Sequence, residues 1–273
     1  MRLSLCNEVI REFDFARQCA HAAALGYAGL EIAPFTLAED PTRLAAARVV
    51  EIRRALADSG LACSGLHWLL VAPPGLSITT ADGTVRARTI EVMRRMIGLC
   101  AELGGAYLVH GSPAQRRIDG DAAAAARGEA AWAAIAGDAA KAKIVYCLEA
   151  LAPPDADFVN TIAQAAAIVR RIASPALRTM LDTSAAGNAE AEAPAALLDR
   201  WLPTGLLAHV QLNDRNRRGP GQGSDRFAPV LAALRRGGYA GWVAMEPFDY
   251  VPDGPGSAAH CIGYVRGLLE ALG

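Results

Sequence analysis

Residues 144–149 read Ile-Val-Tyr-Cys-Leu-Glu, an apolar run of strand type that ends in the carboxylate of Glu149. Three later apolar runs carry an acid or an amide at the corresponding point, namely Asp182, Gln211 and Glu246. These positions are 33, 29 and 35 residues apart, and each interval suits one strand, one helix and their loops in a barrel of about 250 residues. The carboxyl ends of successive parallel strands open into one mouth, so the pattern predicts oxygen ligands for a hard cation there.

Strand-like runs alternate with longer amphipathic stretches along the whole chain, which indicates parallel βα units. Strands are predicted near Leu3–Cys6, Gly29–Ile32, Ala62–Trp68, Ala106–His110, Ile144–Leu148, Thr179–Leu181, Leu207–Leu212 and Trp242–Met245. Helices are predicted near Asp14–Ala24, Pro41–Ser59, Thr84–Leu103, Asp121–Ala136, Asn160–Ile172, Ala193–Trp201, Asp225–Arg236 and Ala258–Leu272.

Eight strands and eight helices predict an α/β fold, a (β/α)8 TIM barrel that residues 1–273 form as a single domain. Glycines after Leu25 and Leu103 support two of the helix ends, because glycine readily adopts the left-handed cap. The rival is an open doubly wound sheet, which usually has a glycine-rich phosphate turn after its first strand. Residues 6–9, Cys-Asn-Glu-Val, offer no such turn.

Composition excludes several classes of partner. The chain is 52% apolar and 20% charged, with a formal net charge of -1, so it has no general attraction to nucleic acid or to an anionic membrane. No apolar run approaches the length of about 20 residues that a membrane span needs. The first six residues read as a strand without the apolar stretch of a signal peptide, and the six cysteines are scattered. We therefore expect a cytoplasmic protein with free thiols.

The two lysines argue against one class of aldolase. Lys141 and Lys143 are the only lysines, and both precede the strand that starts at Ile144. That position places them at the amino-terminal end of the barrel, opposite the usual active-site face. A Schiff-base mechanism needs a desolvated lysine in the pocket.

Residues 209–223 read His-Val-Gln-Leu-Asn-Asp-Arg-Asn-Arg-Arg-Gly-Pro-Gly-Gln-Gly. This stretch resembles the seventh-strand signature of the xylose-isomerase-like sugar isomerase/epimerase family, which includes hydroxypyruvate isomerase and ketose 3-epimerase relatives. Residues 147–149, 181–183 and 245–247 resemble the other metal-binding strand ends of that family. The resemblance extends over essentially the whole chain and implies a xylose-isomerase-like TIM barrel.

The resemblance also implies a metal site. A divalent ion would be held by Glu149, Asp182, Gln211 and Glu246. Many family members have histidine where this chain has Gln211, whereas the hydroxypyruvate isomerase and 3-dehydroshikimate dehydratase branches are similar in using glutamine. An amide oxygen in place of imidazole favours Mn²⁺ or Mg²⁺, with Co²⁺ as an alternative and Zn²⁺ disfavoured.

The chemistry that the resemblance implies is proton transfer beside a carbonyl, on a small sugar or keto-acid. In the similar epimerases two glutamates, Glu149 and Glu246 here, remove and return the α-proton, and the metal stabilises the enediolate. Arg217 matches the family arginine that contacts the substrate near its reactive end. The expected enzyme is an isomerase or epimerase.

One position departs from the family pattern. Related epimerases have a substrate-binding histidine three residues after Asp182, and this chain has Ala185 there. His67 and His110, which close the third and fourth strands, are predicted to replace that donor, with ordinary packing as the alternative for each. Trp68 is predicted to line the pocket, where its ring can stack on a sugar.

Three more features remain open at the level of sequence. Glu31 reaches the barrel mouth and is a candidate for contacting a metal ligand from behind. His209, one layer below Gln211, is interpreted as a buried, hydrogen-bonded histidine rather than a ligand. Arg116, together with the stretch 111–112, fits either a phosphate or carboxylate contact or an ordinary loop.

The same residues distinguish three rival functions. AP-endonuclease relatives need additional histidines for a trinuclear zinc site, and Ala185 and Gln211 stand where two are expected. A sugar-binding protein without catalysis would not need both Glu149 and Glu246. The serious alternative is a metal-dependent lyase or dehydratase acting on a 3-keto sugar, a 3-keto-glycoside or a dehydroshikimate-like substrate. The apolar stretch 261–265 in the last helix is compatible with a homo-oligomer.

Overall fold

The computed structural model describes every residue from Met1 to Gly273. Eight parallel strands pair in chain order and the last pairs with the first, so the sheet closes into a barrel. The strands are β1 (Arg2–Cys6), β2 (Gly29–Ile32), β3 (Ala62–Leu66), β4 (Tyr107–His110), β5 (Val145–Leu148), β6 (Leu177–Asp182), β7 (Leu207–Leu212) and β8 (Trp242–Met245). The predicted (β/α)8 barrel is confirmed.

Nine α-helices surround the barrel. They are α1 (Phe15–Leu25), α2 (Ala46–Asp58), α3 (Gly83–Glu102), α4 (Ala124–Ala142), α5 (Ile162–Ile172), α6 (Thr183–Ala189), α7 (Pro194–Trp201), α8 (Ala228–Arg236) and α9 (Gly254–Ala271). Short 3₁₀ helices lie at Asn7–Ile10, Pro34–Thr36, Pro41–Arg43, Pro113–Arg116 and Leu202–Thr204. None of the nine α-helices combines the length and the apolar character that a membrane span requires.

The helix and strand boundaries differ from prediction at a few places. Helix α6 was not predicted, because it follows β6 directly and is only seven residues long. Helix α4 was predicted to end at Ala136 but continues to Ala142, since alanine is the strongest helix former and one glycine costs only about 1 kcal/mol. The predicted caps at Gly26 and Gly104 are confirmed, with φ of 90° and 76° before β2 and β4.

Two clusters of buried apolar residues stabilise the barrel. A cluster of 64 buried residues fills the space between sheet and helices. A second cluster of five residues, Tyr107, Val109, Cys147, Met180 and Trp242, closes the barrel interior below the mouth. All six cysteines are free and buried.

Strand alternation decides which polar residues enter the barrel. In β7, Val210 and Leu212 belong to the cluster under the helices, so His209 and Gln211 point inward. The register pairs Asp182 of β6 with Gln211, and residues paired in a parallel sheet share a face. Asp182 and Gln211 therefore enter the mouth side by side.

Candidate active site

The carboxyl ends of three strands bring three carboxylates together. Glu149 follows β5, Asp182 ends β6 and Glu246 follows β8. One ligand atom of each lies within 4.8 Å of the other two, and all three residues are buried. This is the convergence that the spacing of the strand ends predicts.

Gln211 is the fourth predicted ligand, and it is held by a contact across the barrel. Its Nε2 donates a hydrogen bond of 2.6 Å to Oε1 of Glu31, across the barrel on β2. Its Oε1 is buried without a hydrogen-bond partner, and so is Oδ2 of Asp182. Buried polar atoms are normally paired, so these two oxygens and the neighbouring carboxylates fit a hard divalent cation.

The electrostatics of the carboxylates support the same fit. Burial raises the pKa of Asp182 to about 7 and the pKa of Glu246 to about 8. Burial, together with the charges of Glu246 and Asp182, raises the pKa of Glu149 well above its usual range. Three carboxylates this close repel one another when ionised, and a bound cation would offset that repulsion.

Glu149 sits against a glycine and a buried arginine. A side chain at residue 111 would collide with the Glu149 carboxylate, so Gly111 leaves the space that this carboxylate occupies. Nη1 of Arg116 donates a hydrogen bond of 2.6 Å to the main-chain oxygen of Glu149. Arg116 is fully buried and does not line the pocket, so its position does not support a contact with a substrate phosphate or carboxylate.

His67 lines the pocket, but both of its ring nitrogens face carboxylates. Nδ1 lies 2.8 Å from Oε1 of Glu246, and Nε2 lies 3.0 Å from Oε2 of Glu8. Burial alone would lower the pKa of His67, yet Glu8 and Glu246 raise it well above its usual value. The ring contacts Glu246 directly, and both of its nitrogens have a carboxylate neighbour. The predicted contact between His67 and a substrate stays a prediction.

His110 is placed differently from the prediction. Tyr107 and Val109 face the barrel interior, so alternation turns His110 outward, toward α4. Its Nδ1 accepts hydrogen bonds from Tyr146 Oη at 2.8 Å and Trp132 Nε1 at 3.1 Å. Burial lowers the pKa of His110 to about 3. The predicted contact between His110 and substrate is therefore not supported by this geometry.

A buried ionic layer lies directly beneath the carboxylates. Oε2 of Glu31 accepts a short hydrogen bond from Tyr107 and lies 2.9 Å from Nε2 of His209, whose ring stacks on Tyr107. Burial alone would raise the pKa of Glu31, but His209, His67 and Tyr107 lower it to about 2. His209 is buried, as the sequence indicates, and Glu31 is its ionic neighbour. Neither ring nitrogen makes a hydrogen bond, so the predicted hydrogen bond of this histidine is not confirmed.

The pocket above the carboxylates has a volume of about 490 Å³. Trp68 and Phe248 form an apolar wall, with their ring centroids 6.0 Å apart. The Arg217 guanidinium lies 5.2 Å from the Phe248 ring, and its Nη1 lies 3.8 Å from Oδ2 of Asp155. Arg217 and Trp68 line the pocket, as predicted; whether they contact a substrate stays a prediction.

A model of the family described as "Xylose isomerase-like TIM barrel" matches residues 19–266. The chain belongs to this family. Among named members, L-ribulose 3-epimerase of Mesorhizobium japonicum is 27% identical over 201 residues, which cover 72% of this chain and 66% of that protein, slightly under two thirds. D-psicose 3-epimerase of Agrobacterium fabrum is 28% identical over 240 residues, which cover 83% of this chain and 76% of that protein.

A solved structure shares the whole fold. The crystal structure of 3-keto-D-glucoside 4-epimerase from E. coli superposes with a TM-score of 0.83 at 19% identity, covering 98% of this chain and 99% of that one. An identity this low supports the fold alone. The isomerase or epimerase class predicted from the sequence agrees with the names of both ketose 3-epimerase relatives.

Ala185, the position where the sequence departs from the family pattern, lies in the pocket wall. Its side chain lines the pocket beside Ser184 and Asn188, and its N–H donates to Oδ1 of Asp182 at 2.6 Å. Residue 185 therefore offers no side-chain hydrogen-bond donor to the pocket, as the departure from the family pattern predicts. Ser184 and Asn188 are the polar neighbours on the same helix, α6.

Sequence reasoning did not assign a role to Glu8. It lies two residues beyond β1, in the 3₁₀ helix Asn7–Ile10, and its Oε1 is buried without a partner. A buried acid just past a strand end is the same signal that identified Glu149 and Glu246. Glu8 was missed because it lies outside the series of regularly spaced strand ends formed by Glu149, Asp182, Gln211 and Glu246.

Proposed function

We propose that this protein is a divalent-metal-dependent sugar epimerase or isomerase that moves a proton on a carbon next to a carbonyl group. The observation that carries the proposal is the buried cluster of Glu149, Asp182 and Glu246, with the unpartnered oxygens of Asp182 and Gln211. The names of the two ketose 3-epimerase relatives support a sugar as substrate.

The cation would be held by Glu149, Asp182, Gln211 and Glu246. These ligands offer only oxygen atoms, which favours Mn²⁺ or Mg²⁺ over Zn²⁺. A cation in this position supplies Lewis-acid polarisation of a substrate carbonyl.

Two glutamates are the proposed proton-transfer pair. Glu149 has no side-chain hydrogen-bond partner, which leaves its carboxylate accessible from the pocket that it lines. Oε1 of Glu246 is hydrogen-bonded to His67. Oε2 of Glu246 is therefore the oxygen that we propose for proton exchange at the pocket that this residue lines. One glutamate takes the α-proton and the other returns a proton, on the opposite face for epimerisation or at the adjacent carbon for isomerisation.

The pocket walls suit a polyhydroxylated ring or chain. Trp68 and Phe248 offer apolar faces to C–H groups of a sugar, and the Arg217 guanidinium would donate to substrate oxygens as negative charge develops. The second candidate function is a lyase, and the alanine at position 185 is the observation that favours it. The same proton abstraction on a 3-keto sugar or 3-keto-glycoside would then be followed by loss of a β-leaving group.

Solvent-deuterium exchange followed by NMR tests the proposal. Protein loaded with Mn²⁺ or Mg²⁺ is incubated in heavy water with ketoses, hydroxypyruvate and 3-keto sugars. We expect enzyme-dependent exchange of one α-proton, and the product distinguishes an epimer or isomer from an elimination product. Exchange that survives complete removal of divalent metal would refute the metal dependence.

Variants assign the proton-transfer pair. Glu149→Gln and Glu246→Gln are each expected to lower exchange by about 10²- to 10⁴-fold, the usual contribution of a general acid or base. The matched control is Glu129→Gln on α4, which removes only a surface contact with Arg171 and should leave exchange unchanged. Full exchange in both active-site variants would contradict the assignment.

A further inference from the structure

Glu31 is a fully buried carboxylate that the proposed reaction does not use. It belongs to β2, and its Oε1 accepts the hydrogen bond of 2.6 Å from Nε2 of Gln211 on β7. Its Oε2 accepts the hydroxyl of Tyr107 and lies 2.9 Å from Nε2 of His209. Both oxygens are therefore fixed by side chains of β4 and β7.

The direction of the bond to Gln211 follows from the chemistry of the two groups. A carboxylate has no hydrogen to donate, so the Gln211 atom that faces Glu31 has to be the amide nitrogen. Oε1 of Gln211 is thereby turned away from Glu31, and it is buried without a partner. The register places it beside Asp182, whose Oδ2 is also buried and unpartnered.

We infer that Glu31 is a positioning residue, which locks the Gln211 amide so that its carbonyl oxygen, and not its nitrogen, faces the cation site. The inference rests on the proposed metal-dependent function. A carboxylate ligand presents an oxygen in either of its flipped orientations, whereas a flipped amide presents two donor hydrogens that repel a cation. A glutamine ligand therefore needs a neighbour that can only accept, and Glu31 is that neighbour.

The proposed orientation of Gln211 by Glu31, called the lock below, is tested with Glu31→Gln. This variant preserves side-chain size but offers both a donor and an acceptor. Gln211 can then bond to position 31 through either end of its amide. Titration with Mn²⁺ by isothermal calorimetry is expected to show an affinity about 10- to 100-fold weaker than wild type, the usual cost of losing an outer partner of a ligand. Circular dichroism establishes that the variant is folded.

Tyr107→Phe is the matched control, because it removes a hydrogen bond to the same carboxylate and leaves the bond between Glu31 and Gln211. We expect it to change the Mn²⁺ affinity by less than about threefold, since the direct partner of the ligand is intact. A loss as large as that of Glu31→Gln would show that general disturbance of the ionic layer, rather than the lock, weakens binding.

The double variant E31Q/Q211E places the amide on β2 and the carboxylate on β7, so an oxygen faces the cation site in either orientation. Its affinity for Mn²⁺ is expected to return to within about threefold of wild type, because the ligand and its partner are again matched. Unchanged binding in folded E31Q, or no recovery in the folded double variant, overturns the inference.

Other outcomes are also decisive. If E31Q alone fails to fold, the folded double variant decides by the same criterion. If neither folds, Glu31 supports the barrel rather than the ligand, and the inference fails. Wild-type protein that binds none of Mn²⁺, Mg²⁺ and Co²⁺ refutes the proposed function itself, whereas wild-type binding that E31Q matches refutes only the lock.

Discussion

The two proposed proton-transfer residues have different surroundings. Glu246 is bonded to His67, and His67 is bonded in turn to Glu8. No side chain donates to the carboxylate of Glu149, which lies in the space above Gly111 with Asp182 and Glu246 beside it. Because a carboxylate that is held by a buried imidazole has less freedom to rotate, Glu246 is the more rigid of the two.

His67→Ala separates a positioning role from a substrate contact. We expect kcat to fall by about 10- to 100-fold with KM within about threefold of wild type, because the residue acts through Glu246. His67→Asn keeps a donor near the Nδ1 position and should recover part of kcat. Steady-state kinetics on the substrate found by exchange measures both parameters. A rise in KM with kcat unchanged would instead support the direct substrate contact that the sequence suggested.

At the level of single elements, one residue, Asp182, links helix α6 to the proposed cation site. Asp182 caps the helix, since its Oδ1 accepts the N–H of Ala185 at 2.6 Å. Its Oδ2 is buried without a partner, and we propose it as a cation ligand. The start of α6 and the geometry of one ligand are therefore fixed together.

Substitution of Asp182 should separate these two functions. Asp182→Asn can keep the cap, because asparagine is an equally good N-cap, whereas Asp182→Ala loses it at a cost of about 1 kcal/mol. Both variants should bind Mn²⁺ at least about tenfold more weakly, since each loses a carboxylate ligand. Urea unfolding without metal measures the cap and calorimetry measures the affinity. Equal stability of the two variants would show that the cap contributes nothing.

The helices and strands were largely predictable, because short-range sequence patterns determine them. Glu149 and Glu246 each follow an apolar run of strand type. Such runs alternate with amphipathic stretches, at the interval expected of one strand and one helix in a barrel. His67 and His110 show where local pattern stops being informative, because both close a strand and only the strand register decides which one faces the pocket. Glu31 and Gln211 are 180 residues apart, and their contact is created by closure of the barrel rather than by any local period.

For the molecule as a whole, the barrel interior is stratified. An apolar floor around Trp242 lies at one end, and the layer of Glu31 and His209 lies above it. The carboxylates of Glu149, Asp182 and Glu246 open into the pocket. Such a concentration of buried acids makes the stability of the metal-free protein depend on pH. The sign of that dependence differs between the layers.

The stability of the metal-free protein is expected to fall as pH rises from about 5 to about 8. The pKa of folded Asp182 is raised to about 7 and that of Glu246 to about 8; the folded state therefore retains protons that the unfolded chain, with carboxyl pKa values of about 4, has already released. Glu31 has the opposite sign, because its pKa is lowered to about 2, so its contribution is present above about pH 4.5 and is lost below it.

Urea unfolding between pH 5 and pH 8, with chelator or with excess Mn²⁺, measures this dependence. Excess cation should remove the decline on the alkaline side, since a ligand at about 100 times its Kd adds about 2.7 kcal/mol to the free energy of unfolding. Asp182→Asn is the matched variant: without metal it should flatten the decline, because one of the groups that must ionise is absent. Metal-free stability that instead rises between pH 6 and pH 8 would mean that the carboxylates at the barrel mouth are already compensated by protein charges, and the case for a resident cation would lose its electrostatic support.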